Sequence, residues 1–449
     1  MPPDTRNAPE NRNALTALTE VQRSEWPVLA LAMVYFFLLM AGYFILRPIR
    51  DQMGVAGGIG NLPWLFTATL LAMLALNPLF SALVARTTRR RLVSISYRLL
   101  MLCLLGFYAA LNLLPDTAQV WVGRAFFVWA SVFNLFAVSL FWAVMADVFD
   151  DHSARRLYGL IAAGGTLGAL IGGLVTTSLV ETLGAAGLLL VSLVLLELAL
   201  RCMFALTARV ASSDPAQQRR GDQIVGGSTL DGLTMAVRSP YLLGVCGYML
   251  LYTIGSTFLY FLQAGIVASE IDGAARQTAY FATVDIWVNG LTLAIQLLAT
   301  GRIMARLGVG LTLAALPLIS LVGFAGLGLW PTLAAVVVFT VARRTSNFAL
   351  SRPAREALYV PLSRIGKYKA KNFIDTFVYR LGDQIGAWSN GLLLWLGLGV
   401  TGIATTALPL AGAWLLLALW LGRKHQSLIA AEPAPNPAPE HPSGPTARP

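Results

Sequence analysis

Long apolar runs separated by short polar loops repeat along most of this 449-residue chain. About 20 apolar residues cross a bilayer as a helix, and hydrocarbon offers no hydrogen-bond partner to the backbone of an open strand. The pattern therefore predicts an all-α membrane protein. We place twelve transmembrane helices at residues 28–50, 62–84, 94–114, 121–145, 157–180, 185–206, 241–262, 279–299, 309–329, 332–357, 371–396 and 401–421.

The composition supports this prediction, because 56% of the residues are hydrophobic and 12% are charged, whereas about a quarter of an ordinary soluble domain is charged. The polar residues that precede the first full-length span do not resemble a removable signal peptide. The predicted organisation is a cytoplasmic N-terminal tail (1–26), a six-helix half (27–206), a cytoplasmic linker (207–240), a second six-helix half (241–422) and a disordered cytoplasmic tail (423–449).

The two sets of six spans show signs of a sequence repeat. Each set has a basic loop after its second span, at 86–91 and 302–306, and an asparagine in its fourth span, Asn134 or Asn347. Duplicated halves are typical of major-facilitator transporters, whose substrate site lies near the bilayer midplane between the halves. The sequence therefore predicts a major-facilitator-like fold.

The distribution of basic residues predicts the orientation, since short cytoplasmic loops are enriched in arginine and lysine. Basic residues concentrate at 85–91, 301–308 and 363–371, whereas the opposite loops carry little net positive charge. We expect both termini to be cytoplasmic, in a bacterial inner membrane. The net charge of +11 follows from this bias and implies weak attraction to anionic headgroups, and we expect no nucleic-acid partner.

We expect no cofactor, no metal site and no enzymatic activity. The three cysteines lie far apart within predicted spans, and therefore indicate neither a disulfide framework nor a zinc site. The chain has no Gly-x4-Gly-Lys-Ser/Thr loop, which disfavours a pump driven by ATP hydrolysis.

The first predicted span ends in charged residues, Arg47, Arg50 and Asp51, around Pro48. Charges within a span are costly and usually face a cavity or a partner. Two interpretations are open: the helix ends at Leu46 and these side chains lie among headgroups, or it continues past the proline and they line a solute path. Arg47 and Asp51 are four residues apart, a spacing that allows them to pair.

The tenth predicted span contains several charged residues. Arg343 and Arg344 lie deep within it, whereas Arg352, Arg355 and Glu356 lie nearer its cytoplasmic end. Arg352 and Glu356 are also spaced to pair.

Acidic residues within later spans are fewer: Asp285 lies in the eighth span, and Asp375 and Asp383 lie in the eleventh. Arginine binds phosphate and carboxylate through two parallel hydrogen bonds, so a cavity with more arginine than acid predicts an anionic solute. The alternative, in which Asp285 is the titrating carboxylate of a drug exporter, stays open.

The fifth predicted span contains glycines at every fourth position, Gly164, Gly168 and Gly172. Small residues at this spacing allow two helices to approach closely. We predict a helix-packing face here, and it is also suited to sliding during alternating access.

The chain has four lysines, and three of them, Lys367, Lys369 and Lys371, lie together before the eleventh span. This segment resembles the ATP/ADP antiporters of plastids and bacteria, which share a Tyr-Lys-Ala-Lys stretch followed by Ile-Asp and Arg-x-Gly-Asp. The matching residues here are Tyr368 to Lys371, Ile374, Asp375 and Arg380 to Asp383. The first span is similar to the same family in Ile45, Leu46, Arg47, Arg50 and Asp51, and a third similar block contains Phe141, Trp142, Ala154, Arg155 and Tyr158.

The resemblance implies recognition of a phosphate-bearing solute by Arg47, Arg50, Lys369 and Lys371, with charge balance from Asp51 and Asp375. Arg50 stands where the family usually has lysine, and Ser153 stands where glutamate is expected.

Taken together, the sequence predicts a secondary transporter that moves an organic anion, such as a nucleotide, by exchange or by ion coupling. We expect a monomer in the lipid bilayer whose ligand is an anionic small molecule. One alternative is a proton-coupled exporter of amphiphilic compounds in which Asp285 or Glu356 titrates. A second alternative is a non-transporting scaffold or sensor with the same fold.

Overall fold

The computed structural model describes residues 25–86, 89–149, 151–213, 239–360, 371 and 373–430. Within these ranges the regular structure is helical, and ten helical stretches are long and apolar enough to cross a membrane. The prediction of an all-α, multi-pass membrane protein is confirmed. The helices are α1 (Trp26–Ala56), α2 (Leu62–Arg86), α3 (Arg89–Leu113), α4 (Asp116–Val148), α5 (Asp151–Ser213), α6 (Pro240–Glu270), α7 (Ala274–Leu298), α8 (Thr300–Leu329), α9 (Leu333–Ala357), α10 (Tyr379–Trp395) and α11 (Val400–Ala430).

Helix α1 continues through Pro48 to Ala56. Proline has no N–H and removes one hydrogen bond from a helix interior, but membrane helices tolerate it because neighbouring groups satisfy the freed carbonyl. The charged residues 47–51 therefore belong to the helix, and Asp51 is only 6% exposed. This excludes the interpretation in which the helix ends at Leu46.

Helix α5 breaks at Gly184, where φ is 65° and ψ is −179°. Such a positive φ is readily adopted by glycine and disfavoured for residues with a Cβ. The break divides α5 into a first arm (151–183) and a second arm (185–213), which correspond to the predicted fifth and sixth spans.

Two π-helical turns interrupt the later helices. One, Asn347–Ser351, lies within α9, and the other, Ile374–Val378, leads directly into α10. π-helical turns occur frequently at functional sites, and both of these contribute residues to the cavities described below.

Several helices extend beyond the predicted limits. The predicted linker begins at 207 and the predicted disordered tail at 423, but α5 is helical through Ser213 and α11 through Ala430. The helices therefore continue past the predicted spans, because a helix does not have to end where apolar sequence ends. In α11, packing continues past the predicted span, since His425 is buried with its Nδ1 3.3 Å from the Tyr241 hydroxyl. Residues 1–24, 214–238 and 431–449 lie outside the described ranges.

The first arm of α5 packs closely on α1 along the predicted glycines. A Cβ atom at Gly164, Gly168 or Gly172 would lie within 3 Å of a carbonyl oxygen on α1. Contact at this distance between two backbones is possible only without side chains. The three glycines therefore set the separation between α5 and α1, the helix that carries Arg47.

Candidate substrate site

A cavity of about 630 Å³ lies between α1, α2 and α4 on one side and α6, α7, α9 and α10 on the other. Six arginines and four aspartates contribute to its lining and leave a formal charge of +2. These residues are Arg47, Arg50, Arg343, Arg344, Arg352 and Arg380, with Asp51, Asp285, Asp375 and Asp383. A membrane protein with this many charges between its helices has the electrostatics of a polar-solute site.

Asp285 connects arginines from two helices that are far apart in the chain. Its Oδ1 lies 3.3 Å from Arg47 Nη1, on α1, and 2.7 Å from Arg344 Nη2, on α9. The carboxylate is 2% exposed, and its Oδ2 has no hydrogen-bond partner among the described residues. One carboxylate therefore compensates two guanidinium groups, and a positive charge is left over at this point of the cavity.

Arg50 and Asp51 form a second charged group on α1. Arg50 Nε and Nη2 donate to Asp51 Oδ1 at 3.0 and 2.5 Å, and the Tyr260 hydroxyl of α6 donates to the same oxygen at 3.2 Å. The predicted partner of Asp51, Arg47, lies at 4.0 Å and is the more distant of the two arginines. The Arg50 guanidinium also lies 5.3 Å from the centroid of the Phe127 ring, a distance that gives cation–π attraction.

Arg343 is buried, with 3% of its surface exposed, and neutral groups hold its guanidinium. Nε donates to Ser320 Oγ at 3.0 Å, Nη1 to Ser256 Oγ at 2.8 Å, and Nη2 to the Tyr252 carbonyl at 3.0 Å. The guanidinium carbon lies 5.5 Å and 5.8 Å from the ring centroids of Tyr252 and Trp414. None of the ion pairs between described residues includes Arg343, so its positive charge acts on the cavity without a local counterion.

Arg380 and Asp383 pair with each other on α10, with Arg380 Nη1 3.3 Å from Asp383 Oδ2. Both line the cavity. Their charges cancel within one helix turn, so this pair contributes polarity rather than net charge.

A second cavity of about 370 Å³ adjoins the first, and Arg352, Asp375 and Tyr379 line both of them. Its further charged residues are Arg355, Glu356 and Lys371. The two cavities together form a path lined by arginine and tyrosine side chains.

The predicted pair between Arg352 and Glu356 is wrong. Glu356 instead pairs with Lys371, whose Nζ lies 2.6 Å from Oε2. Sequence spacing allows a pair within one helix, but Lys371 reaches the carboxylate from another segment and Arg352 lines the cavities instead. Lys371 thus lines the adjoining cavity only, and Lys369 lies outside the described residues.

Two buried polar side chains in the cavity lining have atoms without a partner. Thr340 is 2% exposed and Asn347 4% exposed, and Thr340 Oγ1 and Asn347 Oδ1 make no hydrogen bond to the described residues. Buried polar atoms in folded proteins almost always have a partner, which includes water and bound ligands. Both atoms lie on α9, where Thr340 is three residues before Arg343 and Asn347 three residues after Arg344, and they are suited to contact a polar solute.

Tyr252, Ser256 and Tyr260 also line the cavity and were not predicted from the sequence. They recur at every fourth position of α6 and therefore share one helix face. That spacing was the available signal, although serine is common where membrane helices pack and tyrosine is common at membrane interfaces.

Within the described part of the chain, no group of three or more His, Cys, Asp or Glu side chains is placed to hold a metal ion. The donors that converge on the central cavity are guanidinium, hydroxyl and amide groups. This set of donors is suited to an anion.

Comparison with known proteins agrees with this architecture. The model of the Major Facilitator Superfamily matches residues 28–351. Solved structures with a similar fold include a bacterial homologue of the iron transporter ferroportin in its inward-facing state, with a TM-score of 0.63 and 11% identity over 90% of this chain and 99% of that one. The nucleoside transporter NupG has a TM-score of 0.55 and 12% identity over 92% of this chain and 100% of that one.

The curated relatives are carriers rather than enzymes. "ADP,ATP carrier protein 1" of Chlamydia muridarum is 24% identical over 335 residues, which are 65% of this chain and 61% of the relative. The protein of the same name from Chlamydia pneumoniae is 22% identical over 343 residues, 67% of this chain and 66% of the relative. The matches thus cover less than two thirds of each relative's length. The family match extends over most of the chain and agrees with the helical architecture, and the chain belongs to the Major Facilitator Superfamily.

Proposed function

We propose that this protein is a secondary transporter that carries a phosphate-bearing organic anion through the central cavity by alternating access. The observation that carries the proposal is the arginine excess of the cavity, six arginines against four aspartates. Guanidinium groups bind phosphate oxygens through two parallel hydrogen bonds. Maintaining Arg343 in a membrane protein without a local counterion is costly, and an anionic solute explains why the charge is there.

A nucleotide is the solute that fits the cavity best. Phe66, Phe127, Tyr260 and Phe281 supply aromatic surface beside the arginines, so the cavity offers rings to a base and cations to a phosphate chain. Its volume of about 630 Å³ is in the usual range for small-molecule sites, about 300–1,000 Å³. The similarity to ADP,ATP carrier proteins supports exchange of one nucleotide for another.

We assign roles to the charged residues on this basis. Arg47, Arg50, Arg343 and Arg344 bind the solute in the central cavity, and Lys371 binds it in the adjoining one. Lys369, which lies outside the described residues, is also assigned to solute binding. The charge-balancing residues are Asp51, Asp285, Glu356, Asp375 and Asp383.

The proposed architecture is twelve transmembrane helices in two six-helix halves. Ten helical stretches qualify by length and composition; the break at Gly184 divides α5 into two spans, and α10 with its preceding π-turn is the remaining one. The halves are 27–206 and 241–422, and the linker between them includes the undescribed residues 214–238. We place both termini in the cytoplasm of a bacterium, the helices in its inner membrane, and one chain in the functional unit.

An apolar cluster supports alternating access, because it joins the two halves at one end of the cavity. Val55 and Leu62 pack there with Phe261 and Phe281. In the proposed topology this end faces away from the cytoplasm, since α1 begins at the N-terminal tail and ends beside the cluster. In this topology the cluster closes the outer side of the cavity, and alternating access requires this end to open during transport.

The exporter alternative is not favoured by the geometry. In a proton-coupled exporter the carboxylate takes up its proton in the solute-free cavity, and strong cationic partners there favour the ionised form. Asp285 contacts two arginines and Glu356 contacts Lys371, so both carboxylates are compensated.

The test is uptake of radiolabelled ATP into liposomes that contain the purified protein and are loaded with ADP, with inorganic phosphate or with buffer. We expect rapid uptake with internal ADP and slow or no uptake into liposomes that contain buffer. The control is a set of liposomes that contain the same amount of the double variant Arg343→Leu, Arg344→Leu. Absence of ATP uptake under all three loadings, with inserted and monodisperse protein, would contradict the nucleotide proposal.

A further inference from the structure

We infer that Asp285 is an internal competitor of the solute: its carboxylate occupies, in the empty cavity, the position between Arg47 and Arg344 that an anionic group of the solute takes on binding. The inference rests on the proposed function only in that the solute is an anion. Any ligand that carries a phosphate group has to compete with this carboxylate for the same two guanidinium groups.

The contacts of Asp285 show that its carboxylate is held mainly by the two arginines. Oδ1 lies 3.3 Å from Arg47 and 2.7 Å from Arg344, while Oδ2 has no hydrogen-bond partner among the described residues. Asp51 differs in this respect, because Arg50 and Tyr260 also donate to its carboxylate. Asp285 can therefore give up its partners to an incoming anion more readily than Asp51 can.

The two arginines retain capacity for an anion. Each guanidinium has five N–H donors, and the side chains of Arg47 and Arg344 are each 20% exposed in the cavity. A phosphate group placed between them would meet two positive charges, of which Asp285 now offsets one. Removal of the aspartate charge should strengthen anion binding, because it removes both the competitor and its repulsion of the ligand.

The positions of Arg47, Asp285 and Arg344 couple this competition to the contact between α1 and α7. Arg47 lies before the undescribed residues 214–238, and Asp285 and Arg344 lie after them. Arg47–Asp285 is the ion pair that joins these two parts of the chain within the described ranges. An anion that draws Arg47 away from Asp285 breaks this ion pair, so solute binding weakens the attachment of α1 to α7. A ligand shifts a conformational equilibrium only through such state-dependent contacts.

The test is the affinity of the purified, detergent-solubilised protein for pyrophosphate, measured by isothermal titration calorimetry. We expect Asp285→Asn to bind pyrophosphate about tenfold more tightly than the unmodified protein. Glu197→Gln is the control, because it removes the same charge from a carboxylate that lines neither cavity and that pairs with Arg201 on its own helix. We expect this control to change the affinity by less than about threefold. If Asp285→Asn is not monodisperse, Asp285→Ser carries the same expectation.

Equal or weaker pyrophosphate binding by Asp285→Asn would overturn the inference, as would an equal gain in both variants, because the effect would then be general electrostatics. Absence of pyrophosphate binding by all of the proteins would also overturn it. The outcome is independent of nucleotide transport. Tighter pyrophosphate binding by Asp285→Asn without ATP uptake by the unmodified protein would support competition by Asp285 and contradict nucleotide transport. ATP uptake by the unmodified protein without tighter binding by Asp285→Asn would support nucleotide transport and contradict the competition.

Discussion

Arg343 and Arg344 are adjacent in the chain, but their charges are compensated in different ways. The Arg343 guanidinium is fixed by Ser256, Ser320 and the Tyr252 carbonyl, whereas Arg344 lies 2.7 Å from Asp285. Consecutive residues of a helix point about 100° apart, so the two side chains meet different neighbours. The cavity consequently has one cation fixed by neutral groups and one whose acidic partner an anion can replace.

This difference predicts that a lysine is tolerated better at position 344 than at position 343. Arg343→Lys keeps the charge but cannot reproduce three hydrogen bonds in different directions, and we expect it to lower the free energy of unfolding by about 2 kcal/mol. Arg344→Lys keeps the charge and needs to reach only one carboxylate, so its loss of stability should be about half as large, ~1 kcal/mol. Denaturant titration of both variants in detergent is the measurement. Equal stability of the two variants would show that the three bonds to Arg343 contribute little.

Arg47 is predicted to be required for uptake. Arg47→Gln removes the guanidinium that α1 presents to Asp285, and we expect at least a tenfold lower rate of ATP uptake, since a charged hydrogen bond contributes about 1.5–3 kcal/mol. Arg201→Gln is the control, because the Arg201 side chain is 72% exposed and its ion-pair partner among the described residues is Glu197, on the same helix. Uptake by Arg47→Gln at the rate of the control would exclude Arg47 from the solute path.

The glycine face of α5 makes a steric prediction. The Cβ atom of Gly168→Ala would overlap the Phe37 carbonyl group of α1, whereas nothing lies within 4 Å of the Cβ position at Gly159. We expect Gly168→Ala to lower the melting temperature and to reduce uptake, and Gly159→Ala, on the same arm, to do neither. A melting temperature of Gly168→Ala equal to that of the unmodified protein would mean that α5 and α1 are farther apart than the structure has them.

The closed end of the cavity predicts a cross-link that blocks transport. Thr67 Oγ1 lies 2.9 Å from Gln384 Oε1 and accepts a hydrogen bond from Trp388 Nε1 at 3.1 Å. In a variant without the three native cysteines, Thr67→Cys and Gln384→Cys should be joined through two disulfides by a short bis-methanethiosulfonate reagent, which replaces the length of the glutamine side chain and holds this end closed. We expect uptake to stop after this treatment and to recover after reduction. Full uptake by the cross-linked protein would refute opening of this end during transport.

The sequence predicted the helical architecture because an apolar run of about 20 residues has few other solutions. It also identified Arg47, Arg50, Arg343 and Arg344, since a charge within such a run is unusual; all four line the central cavity.

The pairing of these charges was less predictable. The spacing in the sequence suggested an ion pair between Arg352 and Glu356, but the Glu356 carboxylate pairs with Lys371. The contact between Arg47 and Asp285 depends on how α1 and α7 pack, and spacing along the sequence carries no information about it. Helix ends at Ser213 and Ala430 were missed for a related reason, because packing and helix propensity continue past the end of the apolar sequence.

The most direct test of the central claim is an electron cryomicroscopy structure of the protein with ATP bound. We predict phosphate density between Arg47 and Arg344, with the Asp285 carboxylate displaced from both guanidinium groups. Density for ATP elsewhere, with both contacts of Asp285 intact, would contradict the claim that this charged group is the substrate site.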